Sequence, residues 1–143
     1  LAVTYLARRD RSARQLAQYL SNQGGTQAEI AAVLRRCREL GYLDDEAFAK
    51  RWAEARLRAR PMGAVRLRAE LEAKGIDPRV VERTVGELYA GQGEPILAMR
   101  VLVDLQRTRR LAPAKLVGTL RQRGFDDETI EYVMGRAGLH PDD

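Results

Sequence analysis

One pattern of leucine, glycine and apolar residues occurs three times along the chain at nearly equal intervals. Two leucines stand four residues apart, a glycine follows four residues later, and apolar residues stand six and ten positions beyond the glycine. The three copies are Leu16, Leu20, Gly24, Ile30 and Leu34; Leu67, Leu71, Gly75, Val81 and Val85; and Leu116, Leu120, Gly124, Ile130 and Met134. The first leucines are separated by 51 and then by 49 residues. A recurrence at this period indicates a structural unit repeated three times.

Each copy of the pattern predicts two α-helices joined by a tight turn. Leucines four residues apart lie on one face of a helix, and a glycine can take the left-handed conformation that ends it. A residue that can cap the following helix stands shortly after each glycine. These predicted caps are Thr26, Asp77 and Asp126.

A further helix is expected before each leucine pair. The first should end near Asp10, the second should run from about Ala47 to Arg58, and the third from about Ile96 to Arg107. On the second of these, the predicted buried stripe is Phe48, Trp52 and Ala55. The sequence therefore predicts an all-α fold of three tandem three-helix repeats, forming an elongated, curved array.

Two short segments mark the limits of the repeats. At the first, Gly41 can close one helix and Asp44 can cap the next. The second is the glycine-containing stretch 91–93, which is followed by Pro95. We therefore expect repeats over residues 1–43, 44–92 and 93–143. Because the chain begins at Leu1 rather than methionine, we also expect a trimmed N-terminus.

Arginine dominates the basic residues and recurs in register with the repeats. Of the 25 lysine and arginine residues only three are lysine, which leaves 22 arginines, and the net charge is +5. Arg9, Arg60 and Arg109 each stand seven residues before the first leucine of their repeat. Such cations suit the negative end of a helix dipole, and they equally suit an edge that faces a polyanion. The register alone leaves both interpretations open.

The sequence contains no pattern typical of a catalytic or metal site. The single Cys37 lies on an apolar helix stripe, which predicts a small core residue, and His140 is close to the C-terminus. Trp52 could stack on a base, but its position beside Phe48 favours burial in the core. We therefore expect no enzymatic activity, no cofactor and no metal. The chain has no apolar run long enough to cross a membrane and no signal-peptide pattern, which predicts a cytoplasmic protein.

Several segments together resemble the bacterial RecX family. They are Tyr5-Leu-Ala-Arg-Arg-Asp-Arg-Ser12, the pair Leu16 and Leu20, Gly41-Tyr-Leu-Asp-Asp-x-x-Phe-Ala49, and Leu67-x3-Leu71-x-x-Lys74-Gly75-Ile76. The resemblance covers nearly the whole chain. It departs from the family at Gly24-Gly25, where members commonly carry glycine followed by an apolar residue.

The resemblance implies a fold of three tandem three-helix repeats and a function in regulating RecA, the recombinase that forms filaments on single-stranded DNA. Members of the family bind within the filament groove and generally suppress ATP hydrolysis, strand exchange and coprotease activity. They also have some affinity for DNA, and we expect weak binding of duplex DNA here. We expect a monomer that contacts RecA or DNA through its basic register. The candidate partner-binding residues are Arg8, Arg9, Arg58, Arg60, Arg66, Arg68, Arg107, Arg109 and Arg110.

Two other functions are compatible with the same residues. Three-helix modules with basic helices resemble helix-turn-helix readers, which would make the chain a direct DNA-binding protein. Against this, the leucine-bearing helices lack the stripe of Asn or Gln with Arg that base readout uses. A helical-repeat scaffold for other proteins is the third hypothesis, although a period near 50 differs from the common 34-residue repeats.

Overall fold

The computed structural model describes residue 2 and residues 11–140, and this part of the chain is helical. Over residues 11–140 there are eight α-helices and no strand. The helices are α1 (Ala13–Asn22), α2 (Gln27–Glu39), α3 (Asp45–Ala59), α4 (Ala64–Ala73), α5 (Pro78–Leu88), α6 (Gly93–Arg109), α7 (Pro113–Gln122) and α8 (Asp127–Arg136). The all-α prediction is confirmed, whereas the expected helix before Asp10 lies outside the described residues.

The helices start where the caps were predicted. Thr26 Oγ1 accepts a hydrogen bond from the Glu29 amide at 3.2 Å, and the Glu29 carboxylate accepts the Thr26 amide at 3.0 Å, which completes a capping box. These bonds lower the pKa of the Glu29 carboxyl. Asp126 accepts the Thr129 amide at 2.7 Å at the start of α8. A free helix N-terminus leaves amide groups without partners, so each cap adds about 0.5–2 kcal/mol.

The glycines end the leucine-bearing helices. Gly24, Gly75 and Gly124 have φ angles of 90°, 79° and 91°, so each lies in the left-handed region two residues after the end of its helix. Five of the six leucines in the pattern are at most 1% exposed, and the sixth, Leu20, is partly buried. The repeated pattern therefore encodes the turn and the buried face together.

The described structure divides into two compact units. Within the described residues, the first contains residues 11–53 and 71–84, and the second contains residues 54–70 and 85–140. In the first unit, a small core forms around Leu16, Cys37 and Leu43. Cys37 is 4% exposed, which confirms the prediction that it is a core residue.

The second unit has a larger core built from α6, α7 and α8. Its buried side chains are Ala98, Val101, Leu102, Leu105, Leu116, Leu120, Phe125, Ile130, Val133 and Met134. Burial of an aliphatic or aromatic side chain of this size contributes about 1.5–3 kcal/mol. We infer that this core is the main source of stability in the second unit.

A carboxylate from the next repeat caps the leucine-bearing helix in two successive repeats. In the first unit, the Ala13 amide at the start of α1 donates to Asp45 Oδ1 at 2.8 Å. In the second unit, the Ala64 amide at the start of α4 donates to Glu94 Oε1 at 3.1 Å. The equivalent position in the third repeat is Pro113, which has no amide hydrogen and cannot form this bond.

A glycine turn also contacts the start of each of these two helices. We call each set of contacts, the capped amide together with the covered turn, a junction. In the first unit, Arg14 covers the turn at Gly75, and its Nη1 donates to the Ala73 carbonyl at 3.3 Å. In the second unit, Arg66 covers the turn at Gly124. The first junction therefore comprises the Ala13–Asp45 and Arg14–Gly75 contacts, and the second comprises the Ala64–Glu94 and Arg66–Gly124 contacts. In both junctions the start of a leucine-bearing helix contacts an acidic residue and a glycine turn that lie later in the chain.

The structure corrects the predicted boundaries and buried stripe of two helices. α6 starts at Gly93 rather than near Ile96, because Pro95 is tolerated in a first turn, where amide groups have no helical partner. On α3 the buried residues are Phe48, Ala49 and Ala53, whereas Ala55 is exposed. Trp52 is partly rather than fully buried, and Lys74 Nζ lies 5.5 Å from its ring centroid. The apolar face of α3 is thus rotated by about one residue from the prediction.

Replacing Glu94 by glutamine is expected to raise stability more at neutral than at acidic pH. Burial raises the pKa of the Glu94 carboxyl above its ordinary value of 4.5 and outweighs the hydrogen bond from the Ala64 amide, which lowers this pKa; the charge of Asp126 raises it further. This carboxyl therefore contributes its full stabilisation below about pH 4.5. The stabilisation is lost as the pH rises through the higher pKa of the folded state. Glutamine retains an oxygen that can accept the Ala64 amide but carries no charge.

Urea unfolding of the Glu94→Gln variant at about pH 7 and about pH 4 tests this linkage. Glu94→Ala is the control, because it removes the cap and should cost about 0.5–2 kcal/mol at neutral pH. A larger gain for Glu94→Gln at the acidic pH would mean that the second junction favours the ionised carboxylate.

Candidate functional site

Three arginines of the second unit stand at the C-terminal ends of three different helices. Arg60 directly follows α3, Arg109 is the last residue of α6, and Arg123 directly follows α7. The last carbonyl groups of a helix give it a partial negative charge, so a cation there is stabilised by about 0.3–1 kcal/mol. We refer to Arg60, Arg109 and Arg123 as the arginine cluster.

The charges of the arginine cluster act on one another. Burial lowers the pKa of the Arg123 guanidinium, and the positive charges of Arg60 and Arg109 lower it further. The negative charge of Asp104 raises the pKa of Arg123, whereas the positive charge of Arg66 lowers it by a smaller amount. An arginine nevertheless remains protonated at neutral pH. The protein therefore holds a partly buried cation close to other cations, which disfavours the charged form.

Backbone hydrogen bonds fix the segment that carries Arg123. The Gly63 amide donates to the Arg123 carbonyl at 2.8 Å, and the Val65 amide donates to the Gly124 carbonyl at 3.1 Å. Arg66 adds a third link, because its Nη1 lies 3.5 Å from the Gln122 carbonyl. The end of α7 is thus attached to the start of α4, and the backbone of Arg123 has a defined position.

Ion pairs neutralise neighbouring arginines but not the arginine cluster. Arg107 Nη2 is 2.9 Å from Asp104 Oδ1. Glu70 pairs with Arg56 Nε at 2.7 Å and with Arg66 Nε at 3.3 Å. None of the ion pairs formed within residues 11–140 includes a member of the arginine cluster. The three guanidinium groups are therefore available to an external anion.

The structure places two of the nine candidate arginines in the arginine cluster, namely Arg60 and Arg109. Arg58 is also exposed, near the end of α3. Arg8 and Arg9 lie outside the described residues. The two register residues of the second unit, Arg60 and Arg109, both lie at helix ends, and the charges of both act on Arg123.

The other four candidates have contacts of their own. Arg66 is held by Glu70 and the Gln122 carbonyl, and Arg107 is paired with Asp104. Arg68 is partly buried and its charge acts on Glu94. Arg110 is exposed and ends α6 in the left-handed conformation, with φ 50° and its amide bonded to the Leu105 carbonyl. Arg66 and Arg107 thus share their charge with carboxylates, whereas Arg110 presents an exposed charge at the end of α6.

Arg123 is the member of the arginine cluster that was not among the candidates. The position before the repeated glycine is Gln23 in the first repeat, Lys74 in the second and Arg123 in the third. In the sequence, the only feature that marks Arg123 is that this position is basic in the second and third repeats and neutral in the first. Its proximity to Arg60 and Arg109 depends on contacts between residues far apart in the chain.

The described part of the chain has neither a metal-binding group nor a membrane-spanning helix. Residues 11–140 contain no group of three histidine, cysteine or acidic side chains placed to hold a metal ion. Nor does any helix described by the structure combine the length and apolar character that crossing a membrane requires.

Comparison with known proteins relates the chain to one family. A family model for the first three-helix domain of RecX matches residues 1–37, and one for the second three-helix domain of RecX matches residues 44–85. The crystal structure of RecX from Lactobacillus salivarius is similar in fold, with a TM-score of 0.86 at 18% identity over 97% of this chain and 93% of that chain.

Curated relatives extend the similarity over nearly the whole sequence. The regulatory protein RecX of Prosthecochloris aestuarii is 30% identical, with 93% of this chain and 88% of the relative covered. That of Treponema pallidum (strain Nichols) is 31% identical, with 94% and 81% covered. The chain spans about half of the Geobacillus kaustophilus relative, to which it is 30% identical over 97% of its own length and 53% of the relative. The chain belongs to the RecX family.

Proposed function

We propose that this protein binds RecA and RecA filaments on single-stranded DNA and restrains their ATP hydrolysis, strand exchange and coprotease activity. The observation that most supports the proposal is membership of the RecX family, whose curated relatives are named regulatory proteins. The chain acts by binding rather than by catalysis, as a cytoplasmic monomer.

The arginine cluster gives this binding a physical basis. Guanidinium groups without internal partners can take the phosphates of filament DNA or the carboxylates of RecA. Additional weak contacts from the repeats 1–43, 44–92 and 93–143 would raise the overall affinity, because each contact after the first forms within an existing complex. In this proposal Arg58, Arg68, Arg107 and Arg110 extend the surface, Arg66 holds the end of α7 in place, and Arg8 and Arg9 serve the first repeat.

The proposal is tested by adding substoichiometric protein to RecA on single-stranded DNA and measuring ATP hydrolysis. We expect the rate to fall with the unaltered protein and to require about tenfold more of an Arg60→Glu/Arg109→Glu variant, because charge reversal removes two ionic contacts. The matched control is Arg35→Glu/Arg38→Glu, on the exposed surface of α2.

An unchanged hydrolysis rate and filament length with the unaltered protein would contradict the proposed function. Tight, sequence-dependent binding to naked duplex DNA under the same conditions would instead favour a direct DNA-reading protein. Circular dichroism of both variants shows whether their helices remain folded.

A further inference from the structure

We propose that a recess beside Gly25, in the first unit, is a docking pocket for one apolar side chain of a protein partner, next to a basic residue of that partner. The recess has a volume of about 230 Å³, and we call it the Gly25 pocket. Its apolar wall is formed by Leu20, Ile30 and Val33, and the exposed Glu29 also lines it. The inference goes beyond the proposed function, because it concerns the chemistry of one contact and holds for whichever protein presents it.

The first step of the argument is that the Gly25 pocket lies where the other repeats carry a side chain. The residue after the repeated glycine is Gly25 in the first repeat, Ile76 in the second and Phe125 in the third. Ile76 and Phe125 are 3% and 2% exposed, so each belongs to the core of its repeat. A β-carbon built on Gly25 would lie 3.4 Å from Ile30 Cγ1, at the wall of the pocket. The first repeat therefore lacks one core side chain at this place.

The second step is that the neighbours of the missing side chain remain in contact with water. Leu71 and Leu120 are fully buried, whereas Leu20, their counterpart in the first repeat, is partly exposed. Ile30 is also partly exposed, although its counterparts in the other two repeats are buried. Covering apolar surface of this kind is favourable, because it removes that surface from water. The Gly25 pocket is therefore an apolar site that the chain itself leaves open.

The third step concerns the size of the occupant. An apolar cavity of about 150 Å³ is large enough to hold benzene, so the Gly25 pocket has room for a phenylalanine or isoleucine side chain. Pockets that enclose a whole small ligand usually measure about 300–1,000 Å³, which is more than this recess offers. A single side chain anchored in a small pocket is instead typical of contacts between proteins. The occupant that fits is an apolar side chain presented by a protein.

The fourth step concerns charge at the same place. Among the described residues that line the Gly25 pocket, Glu29 alone carries a charge. Its carboxylate is held by the Thr26 amide at 3.0 Å in the capping box, and this bonding lowers the pKa of the carboxyl. Glu29 is therefore ionised at neutral pH and fixed in position. A lysine or arginine beside the apolar side chain of the partner would complement this charge.

The first test follows methyl NMR resonances of the unaltered protein while N-acetyl-phenylalanyl-arginine amide is added. We expect the resonances of Leu20, Ile30 and Val33 to shift together, with a dissociation constant on the order of 1 mM, as suits burial of one side chain. Leu116 and Leu120, in the third repeat, are the internal control and should not shift. Unchanged resonances of the pocket residues at about 10 mM peptide would overturn the proposal.

The second test fills the Gly25 pocket from within by Gly25→Ile. We expect the thermal midpoint to rise by about 5 °C, because an apolar side chain is buried, and peptide affinity to fall more than about tenfold, because the site is occupied. Gly118→Ala is the control that should also raise stability while leaving peptide binding unchanged. A Gly25→Ile variant with native circular dichroism that bound the peptide as tightly as the unaltered protein would overturn the proposal. The methyl resonances of the unaltered protein give their answer whether or not this variant folds.

The third test concerns the basic neighbour. We expect the arginine peptide to bind about threefold more tightly than N-acetyl-phenylalanyl-glutamate amide, and Glu29→Gln to abolish the preference. Glutamine can still complete the capping box, so the helix start is retained. Equal affinities of the two peptides for the unaltered protein would overturn the proposed partner chemistry.

Two further outcomes would assign the Gly25 pocket to another occupant and overturn the proposal. Shifts of the same methyl resonances on concentrating the protein alone would identify a second copy of the chain. Tighter binding of benzene than of the arginine peptide would identify a site for small apolar molecules. None of these measurements includes RecA, so a failure to inhibit RecA would reject the proposed function and leave the Gly25 pocket intact.

Discussion

Replacing Gly63 by alanine is expected to destabilise the protein by about 3–5 kcal/mol, measured by urea unfolding. A β-carbon at this position would overlap the Gly124 carbonyl group and would lie 2.5 Å from the Phe125 nitrogen. These are backbone atoms, so no side-chain rotation can relieve the overlap. The segments must separate, which also breaks the bonds from the Gly63 and Val65 amides to the end of α7. Each lost bond contributes about 1 kcal/mol in addition to the cost of overpacking.

The control for Gly63→Ala is Gly118→Ala, in the interior of α7. No described heavy atom lies within 4 Å of a β-carbon built on Gly118. Alanine there should stabilise the helix by about 0.5–1 kcal/mol, because it restricts the unfolded chain and favours helical geometry. Equal stabilities of Gly63→Ala and the unaltered protein would mean that α4 and the turn at Gly124 do not approach as closely as described.

The parts of the fold that were predicted from sequence depend on residues close together in the chain. Thr26 and Glu29 form a capping box within one turn, and Leu116 and Leu120 face the core because they are one helical turn apart. The glycine turn at Gly124 follows from the same short window. Three occurrences of one pattern also reduced the chance of a false assignment.

The junctions could not be predicted, because their partners are separated by about 30 residues or more. The Ala13 amide meets Asp45, and the Ala64 amide meets Glu94. In the sequence each of these acids is simply an acid at the start of a helix, where it suits that helix's own dipole. Only packing of one repeat against the next gives the carboxylate a second role.

The same limit applies to the candidate site. Register selected Arg60 and Arg109, but it gave no reason to add Arg123 or to distinguish Arg66, which Glu70 already neutralises. Whether an arginine is free or paired depends on which carboxylate folding brings to it. A sequence rich in arginine therefore predicts the sign of a surface better than the position of a site.

Replacing Gly124 by alanine is also expected to cost about 3–5 kcal/mol in urea unfolding, for two separable reasons. Gly124 has φ 91°, and a side chain in the left-handed region costs about 1–2 kcal/mol. In addition, the new β-carbon would overlap Arg66 Cβ and lie 2.6 Å from the Arg66 nitrogen. Because α4 begins only two residues earlier, relieving this overlap requires the second junction to open.

Gly24→Ala separates the two causes, because Gly24 is the equivalent residue of the first repeat. Its φ is 90°, and no described heavy atom lies within 4 Å of a β-carbon built there. Alanine at Gly24 should therefore cost only the conformational strain of about 1–2 kcal/mol. The excess cost of Gly124→Ala then measures the close approach of Arg66. If the two variants were equally destabilised, the turn at Gly124 would tolerate a side chain as well as the turn at Gly24 does. The second junction would then contribute no steric constraint.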